Sequence, residues 1–141
     1  MAGIQNVINV RWTGKVSFEA AIDEHKIIMD LDEEKGGQNS GARPKPLMLA
    51  SLGGCTGVDV IMILKKMRIE PEYFNMRIIG DQAEEIPKKY EKIKIIYEFK
   101  GKDLPLDKLK QAIELSQEKY CGVSVVYRQA IDMSYEIRIL E

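Results

Sequence analysis

Cys55 and Cys121 are the residues of this chain best suited to do chemistry. A thiolate attacks the outer oxygen of a peroxide and becomes a sulfenic acid. A nearby thiol then condenses with it to a disulfide that a dithiol can reduce. Two cysteines suffice for that cycle without an organic cofactor. They stand far apart in the chain, so only the tertiary fold could bring their Cα atoms within the roughly 7 Å that a disulfide tolerates. Two cysteines are too few for a disulfide scaffold, and with the single His25 they do not supply four ligands for a structural zinc site. Neither metal nor cofactor is expected. The bland reading of each is a small buried hydrophobe, since free cysteine is among the most buried residue types.

Cys55 lies in an apolar stretch, where burial raises a thiol pKa, so a nucleophilic role requires a cation. Arg43, just ahead of that stretch, is the candidate, because guanidinium stays charged and can contact both thiolate and peroxide oxygen. Arg11 and Arg128 are further candidates, and the alternative for Arg43 is a solvated loop charge. Asp59 falls one helical turn after Cys55 and either polarises the site or serves as a cap or ion-pair partner. Gly53-Gly54 costs helix stability, roughly 1 kcal/mol per glycine against alanine, but permits close approach of substrate or a neighbouring element. Met48, Met62 and Met67 read as flexible core fillers. The run Gly53 to Gly57 lacks the ending of a phosphate loop and follows no predicted strand.

The elements that must position these groups follow from periodicity. Ile8, Val10 and Trp12, then Val16, Phe18 and Ala20, then Ile27, Met29 and Leu31 alternate with polar residues, and turns at Thr13-Gly14-Lys15 and Asp23-Glu24-His25-Lys26 make a three-stranded antiparallel meander. His25 is expected exposed in the second turn. The polar, glycine-rich stretch from Glu33 to Gly41 is loop, ended by Pro44 and Pro46. Leu47 to Met67 is apolar on nearly all sides and of helical length. Such a helix must be covered all round, here by sheet and by a second subunit, with Pro71 as its stop. Two strands, about Tyr73 to Ala83 and Lys89 to Lys100, precede a helix opened by Leu104-Pro105 with Leu106, Leu109 and Ile113 on its apolar face. Cys121 then stands where that helix ends. If a helix begins there, its N-terminus favours the thiolate. Val123 to Arg128 is open between helix and strand, and Ala130 to Leu140 alternates as a closing strand. The expectation is one α+β domain over residues 1–141, without βαβ winding.

The 141 residues and 45% hydrophobic composition suffice for one core. A net charge of -1 offers no field for nucleic acid or an anionic membrane. Gly53, Gly54, Thr56 and Asp59 interrupt the longest apolar run, short of the roughly 18 to 20 residues of a spanning helix. Met1 to Asn6 has no basic region followed by an apolar core, so no signal peptide is expected and the protein is placed in the cytoplasm.

The segment from Ser40 to Arg68, with Arg43-Pro44 ahead of the helix and Gly53-Gly54-Cys55-Thr56 inside it, resembles the central helix of the OsmC/Ohr family (osmotically inducible protein C-like and organic hydroperoxide reductase-like proteins). Leu115 to Ser124, around Cys121-Gly122, resembles that family's second-cysteine motif, and the element order agrees along nearly the whole chain. The resemblance implies an intertwined homodimer with the long helices at its centre. It also implies thiol-dependent reduction of organic hydroperoxides, with hydrogen peroxide as a further substrate, through a Cys55 sulfenate and a Cys55–Cys121 disulfide reduced by a cellular dithiol. The hydroperoxide-resistance branch carries a Glu just after the proline, where this chain has Lys45 and Pro46. It takes its arginine from a loop of the N-terminal strands, where this chain has Lys15 and Lys26. The rival reading is a non-enzymatic protein binding a small lipophilic ligand at the dimer interface.

Overall fold

The computed structural model describes residues 3–141. Of the N-terminal segment considered for a signal peptide, Met1 and Ala2 lie outside the described residues. The chain divides into two compact units, with the boundary in the sequence between Met48 and Leu49.

The first unit is the expected meander: β1 (Asn9–Gly14), β2 (Ser17–Ile22) and β3 (His25–Met29), each antiparallel to the next. Val10 pairs with Ala20 and Trp12 with Phe18, while Ala20 and Phe18 pair with Ile27 and Met29. The apolar residues therefore share one face, as their period of two requires. Within this face Ala20 is buried, but Trp12 is 63% exposed. The second turn is tighter than expected. Asp23 takes a left-handed conformation with φ 56°, which Asp tolerates better than most residues, so Asp23-Glu24 suffices. His25 and Lys26 open β3 instead, His25 opposite Ile22 and exposed. The glycine-rich loop then folds back onto β3. Ala42 N–H donates to the Ile28 carbonyl at 3.2 Å, and Asp30 N–H donates to the Ala42 carbonyl at 3.0 Å. A Cβ at Gly41 would collide with the Ile28 carbonyl, so glycine is what allows this return.

The second unit holds most of the long helix α1 (Leu47–Lys66) and a sheet of β4 (Tyr73–Gln82), β5 (Tyr90–Lys100) and β6 (Asp132–Ile139). Leu52, Thr56, Val60 and Leu64 recur every fourth residue and form one buried stripe. The sheet comes so close that a Cβ at Gly53 would stand 2.5 Å from Ile78 Cδ1 and one at Gly57 2.7 Å from Met76 Cε. Val58 and Met62, on another face of α1, are exposed within the chain, so its own unit covers the helix on one side only. By length and composition alone α1 would suffice to cross a membrane; its glycines and Thr56 do not interrupt it as the sequence suggested, and its inner stripe packs into the protein core instead. The helix also ends before Pro71 can stop it. Arg68 turns left-handed at φ 61° and Ile69 N–H donates back to the Leu64 carbonyl at 2.9 Å, the six-to-one bond that closes many helix C-termini.

β4 and β5 are antiparallel, as expected, but β6 lies parallel to β5. Parallel neighbours need a crossover. It is supplied by α2 (Leu106–Leu115), a widened π-turn at Ser116–Tyr120 and α3 (Gly122–Arg128). The α+β fold thus contains one βαβ-type winding that the alternation of apolar residues did not reveal. Leu109, Ala112 and Ile113 bury the inner face of α2, while Leu106 is exposed.

Candidate active site

The crossover carries Cys121 to α1. Cys55 Sγ, Cys121 Sγ and an Asp59 carboxylate oxygen all lie within 4.8 Å of one another. Cys55 and Asp59 stand one turn apart, so the helix presents both on one face. Cys121 arrives by the π-turn, in which its N–H donates to the Ser116 carbonyl at 2.7 Å. That extra residue per turn shifts the chain out of the α2 register, a common device at functional sites. Cys121 then takes an extended conformation and becomes the N-cap of α3, its Sγ accepting from Ser124 N–H at 3.3 Å. The next N–H upstream, that of Val123, donates to Cys55 Sγ. Both thiols are free, Cys55 half-buried and Cys121 fully buried.

A buried line of hydroxyls ends on this cluster. Gln117 Nε2 donates to Tyr97 OH at 2.9 Å, and Tyr97 OH and Thr56 Oγ1 are 2.9 Å apart. Thr56 Oγ1 and Ser116 Oγ are 2.8 Å apart, and Ser116 Oγ donates to Asp59 Oδ2 at 3.0 Å. With a carboxylate accepting at one end and an amide N–H donating at the other, every hydroxyl in the line can donate toward Asp59. Asp59 forms no ion pair among the described residues, so it is the polarising rather than the ion-pairing reading that the geometry favours. Tyr97, Ser116 and Gln117 were not singled out from the sequence, and Thr56 only as a member of the Cys55 motif and a break in the apolar run. The available signal was Thr56 and Ser116, polar positions among core residues.

Burial pushes the Cys55 thiol above its ordinary value. The neighbouring Cys121 and the Asp59 charge push the same way, against the Val123 N–H, which lowers it. The need for a cation is therefore greater than the sequence alone suggested. Arg128 is engaged with the Gln117 carbonyl at 3.1 Å, and Arg11 with Glu19 at 3.3 Å. Arg43 belongs to the first unit, exposed and directly after the Ala42 bridge to β3. Burial also raises Tyr97, which keeps its phenol an O–H donor.

Beside Asp59 a cavity of about 300 Å³ is lined by Met62, Ile63, Leu115, Tyr120 and the Lys66 stem. A second, almost wholly apolar groove runs over Gly54, Val58, Ile61, Met62 and Phe74. Two thiols and a carboxylate give three donor atoms, short of a closed tetrahedral structural metal site.

The fold is α+β, with one thiol on its long helix and a second at a helix junction beside it. The chain belongs to the OsmC-like protein family, whose model matches residues 37–136, which include Arg43 and both cysteines. It is 31% identical over 134 residues to protein YhfA of Escherichia coli K12, covering 91% of this chain and 95% of that protein. A solved structure of a hypothetical protein from Aquifex aeolicus VF5 is 31% identical, with a TM-score of 0.83 over 99% of this chain and all (100%) of that one. An organic hydroperoxide resistance protein OsmC from Legionella pneumophila shares the fold, with a TM-score of 0.69 over 98% of this chain and 99% of its own, at 14% identity.

Proposed function

We propose that this protein is a thiol-dependent hydroperoxide reductase. Cys55 attacks the peroxide and becomes a sulfenic acid, Cys121 resolves it to an intramolecular disulfide, and a cellular dithiol restores both thiols. The observation that carries the reading is the approach of two sequence-distant free thiols to within 4.8 Å. The difference in their exposure supports these roles, since Cys55 is half-buried and open to a substrate while Cys121 is buried. In this reading Arg43 supplies positive charge to Cys55, the two units act as one OsmC-like domain, and a second copy of the chain covers the apolar face of α1. Apolar lining beside Asp59 suits the organic part of an alkyl or lipid hydroperoxide. A dithiol cycle needs a reductant, and a reducing compartment such as the cytoplasm supplies one.

The test is the mass and free-thiol count of the intact protein after a brief, stoichiometric pulse of cumene hydroperoxide. Wild type is expected to lose both thiols within one chain. Cys121→Ser should accumulate a trappable sulfenic acid and Cys55→Ser should not react. Arg43→Met should slow the oxidation roughly 100-fold, the scale of removing one donor to a developing oxyanion. Thiols that ignore several hydroperoxides would rule the reading out. The almost wholly apolar groove along α1 then favours a second one, a non-enzymatic protein that carries a small lipophilic ligand, and native mass spectrometry of freshly purified protein would look for it.

A further inference from the structure

Resting on the peroxidase reading, we infer that Asp59 is the proton carrier of both steps, oxidation of Cys55 and closure of the disulfide, taking the proton from each attacking thiol and returning it to each leaving oxygen.

Three observations converge on this residue. Its carboxylate lies within 4.8 Å of both sulfurs. It also lines the cavity in which a hydroperoxide would sit. And it receives the hydroxyl of Ser116, the last of the buried line that runs back through Thr56 to Tyr97. One side of the carboxylate is therefore fixed by a donor, while the group as a whole faces the reacting atoms.

The chemistry needs such a group. Cys55 sits in surroundings that favour its protonated form, with burial and the Asp59 charge acting together. A permanent thiolate would gain nothing from a neighbouring carboxylate, whereas a thiol that is deprotonated during attack would. In the first step the Cys55 S–H proton passes to Asp59 as the sulfur pair forms the S–O bond. The peroxide O–O bond breaks and the departing alkoxide takes the proton back, giving Cys55–SOH and an alcohol. In the second step the Cys121 S–H proton passes to Asp59 as its sulfur forms the S–S bond. The S–O bond of the sulfenic acid breaks and the hydroxide leaves as water. The first step oxidises the Cys55 sulfur by two electrons; the second is a condensation that shares this oxidation between the two sulfurs with no further net change, and Asp59 ends each step unprotonated as it began. The oxidant is the hydroperoxide and the reductant that resets the disulfide is a cellular dithiol.

The experiment compares two reactions of Cys55 in a Cys121→Ser background, with and without Asp59→Asn. Iodoacetamide consumes the thiolate and releases iodide, which needs no proton; cumene hydroperoxide releases an alkoxide, which does. Removing the carboxylate charge should leave alkylation unchanged or faster while slowing peroxide reduction by roughly 100-fold, the lower range for general acid–base catalysis. Asp59→Glu should recover part of the peroxide rate. If Asp59→Asn does not fold, Ser116→Ala serves in its place, with an expected loss of about tenfold toward peroxide alone for a missing hydrogen bond to a charged group. The two rates moving together, up or down, would overturn the inference, because Asp59 would then act through charge or structure only. A parent protein that alkylates normally but ignores the peroxide would instead overturn the peroxidase reading, and this inference with it.

Discussion

Asp30 shows how one side chain can organise the loop that leads to Arg43. It is 1% exposed, and its carboxylate accepts from Leu31 N–H at 2.7 Å, Gln38 N–H at 3.2 Å, and both the N–H and Oγ of Ser40, at 3.1 and 2.6 Å. The glycine-rich loop is thereby wound around a single anion before Ala42 returns to β3 and Arg43 follows. The Ser40 hydroxyl, more than any other group, with Leu31 N–H next, lowers the Asp30 pKa from 3.8 to about 2. The sign follows from linkage: a depressed carboxylate pKa stabilises the folded state above the unfolded value of 3.8, and this contribution disappears as the pH falls through about 2. Asp30→Asn should lower the melting temperature at pH 6 and flatten the decline between pH 4 and pH 2. Circular-dichroism melts across that range read both effects, and an acid decline as steep as that of wild type would show that Asp30 is not its source.

At the scale of elements, α1 and β4 approach as closely as they do because glycine stands at positions 53 and 57. Gly53→Leu must displace Ile78, the residue that a Cβ there would meet, and should cost about 1 to 3 kcal/mol as overpacking. Urea denaturation would measure it, and a neutral result would mean that the sheet yields freely. This contact also marks where sequence reading stopped. Period-two alternation placed all three strands of the meander and their shared face, and the length of the apolar run placed α1, since both signals are local. Asp23 shortened a turn and Arg68 ended a helix through left-handed conformations that no periodicity encodes. The direction of β6 depended on how α2, the π-turn and α3 lead the chain across, which is tertiary information. Of the site, Cys55 and Cys121 were legible from their type and their motifs. Their proximity was not, nor was the line from Tyr97 to Asp59, whose members come from α1, β5 and the π-turn.

At the scale of the whole molecule, the second unit leaves apolar surface on α1 that its own sheet does not cover. Val58 is 59% exposed and Met62 57%, on a groove whose other walls include Gly54 and Phe74. A helix apolar on nearly every side is stable in water only when a second surface meets it, and contiguous apolar patches of this kind mark interaction sites. A second copy of the chain fits the proposed dimer, because a twofold interface can be formed by the same patch on both partners. Val58→Asp would then bury a carboxylate without a partner at the centre of that interface, a cost that burial of an unpaired charge makes large. Sedimentation equilibrium at micromolar concentration should find wild type dimeric and Val58→Asp shifted toward monomer. Lys119→Asp, a control on the exposed surface of the π-turn, should keep the wild-type mass. A monomeric wild type would leave the groove to another occupant, and a dimer untouched by Val58→Asp would place the interface elsewhere.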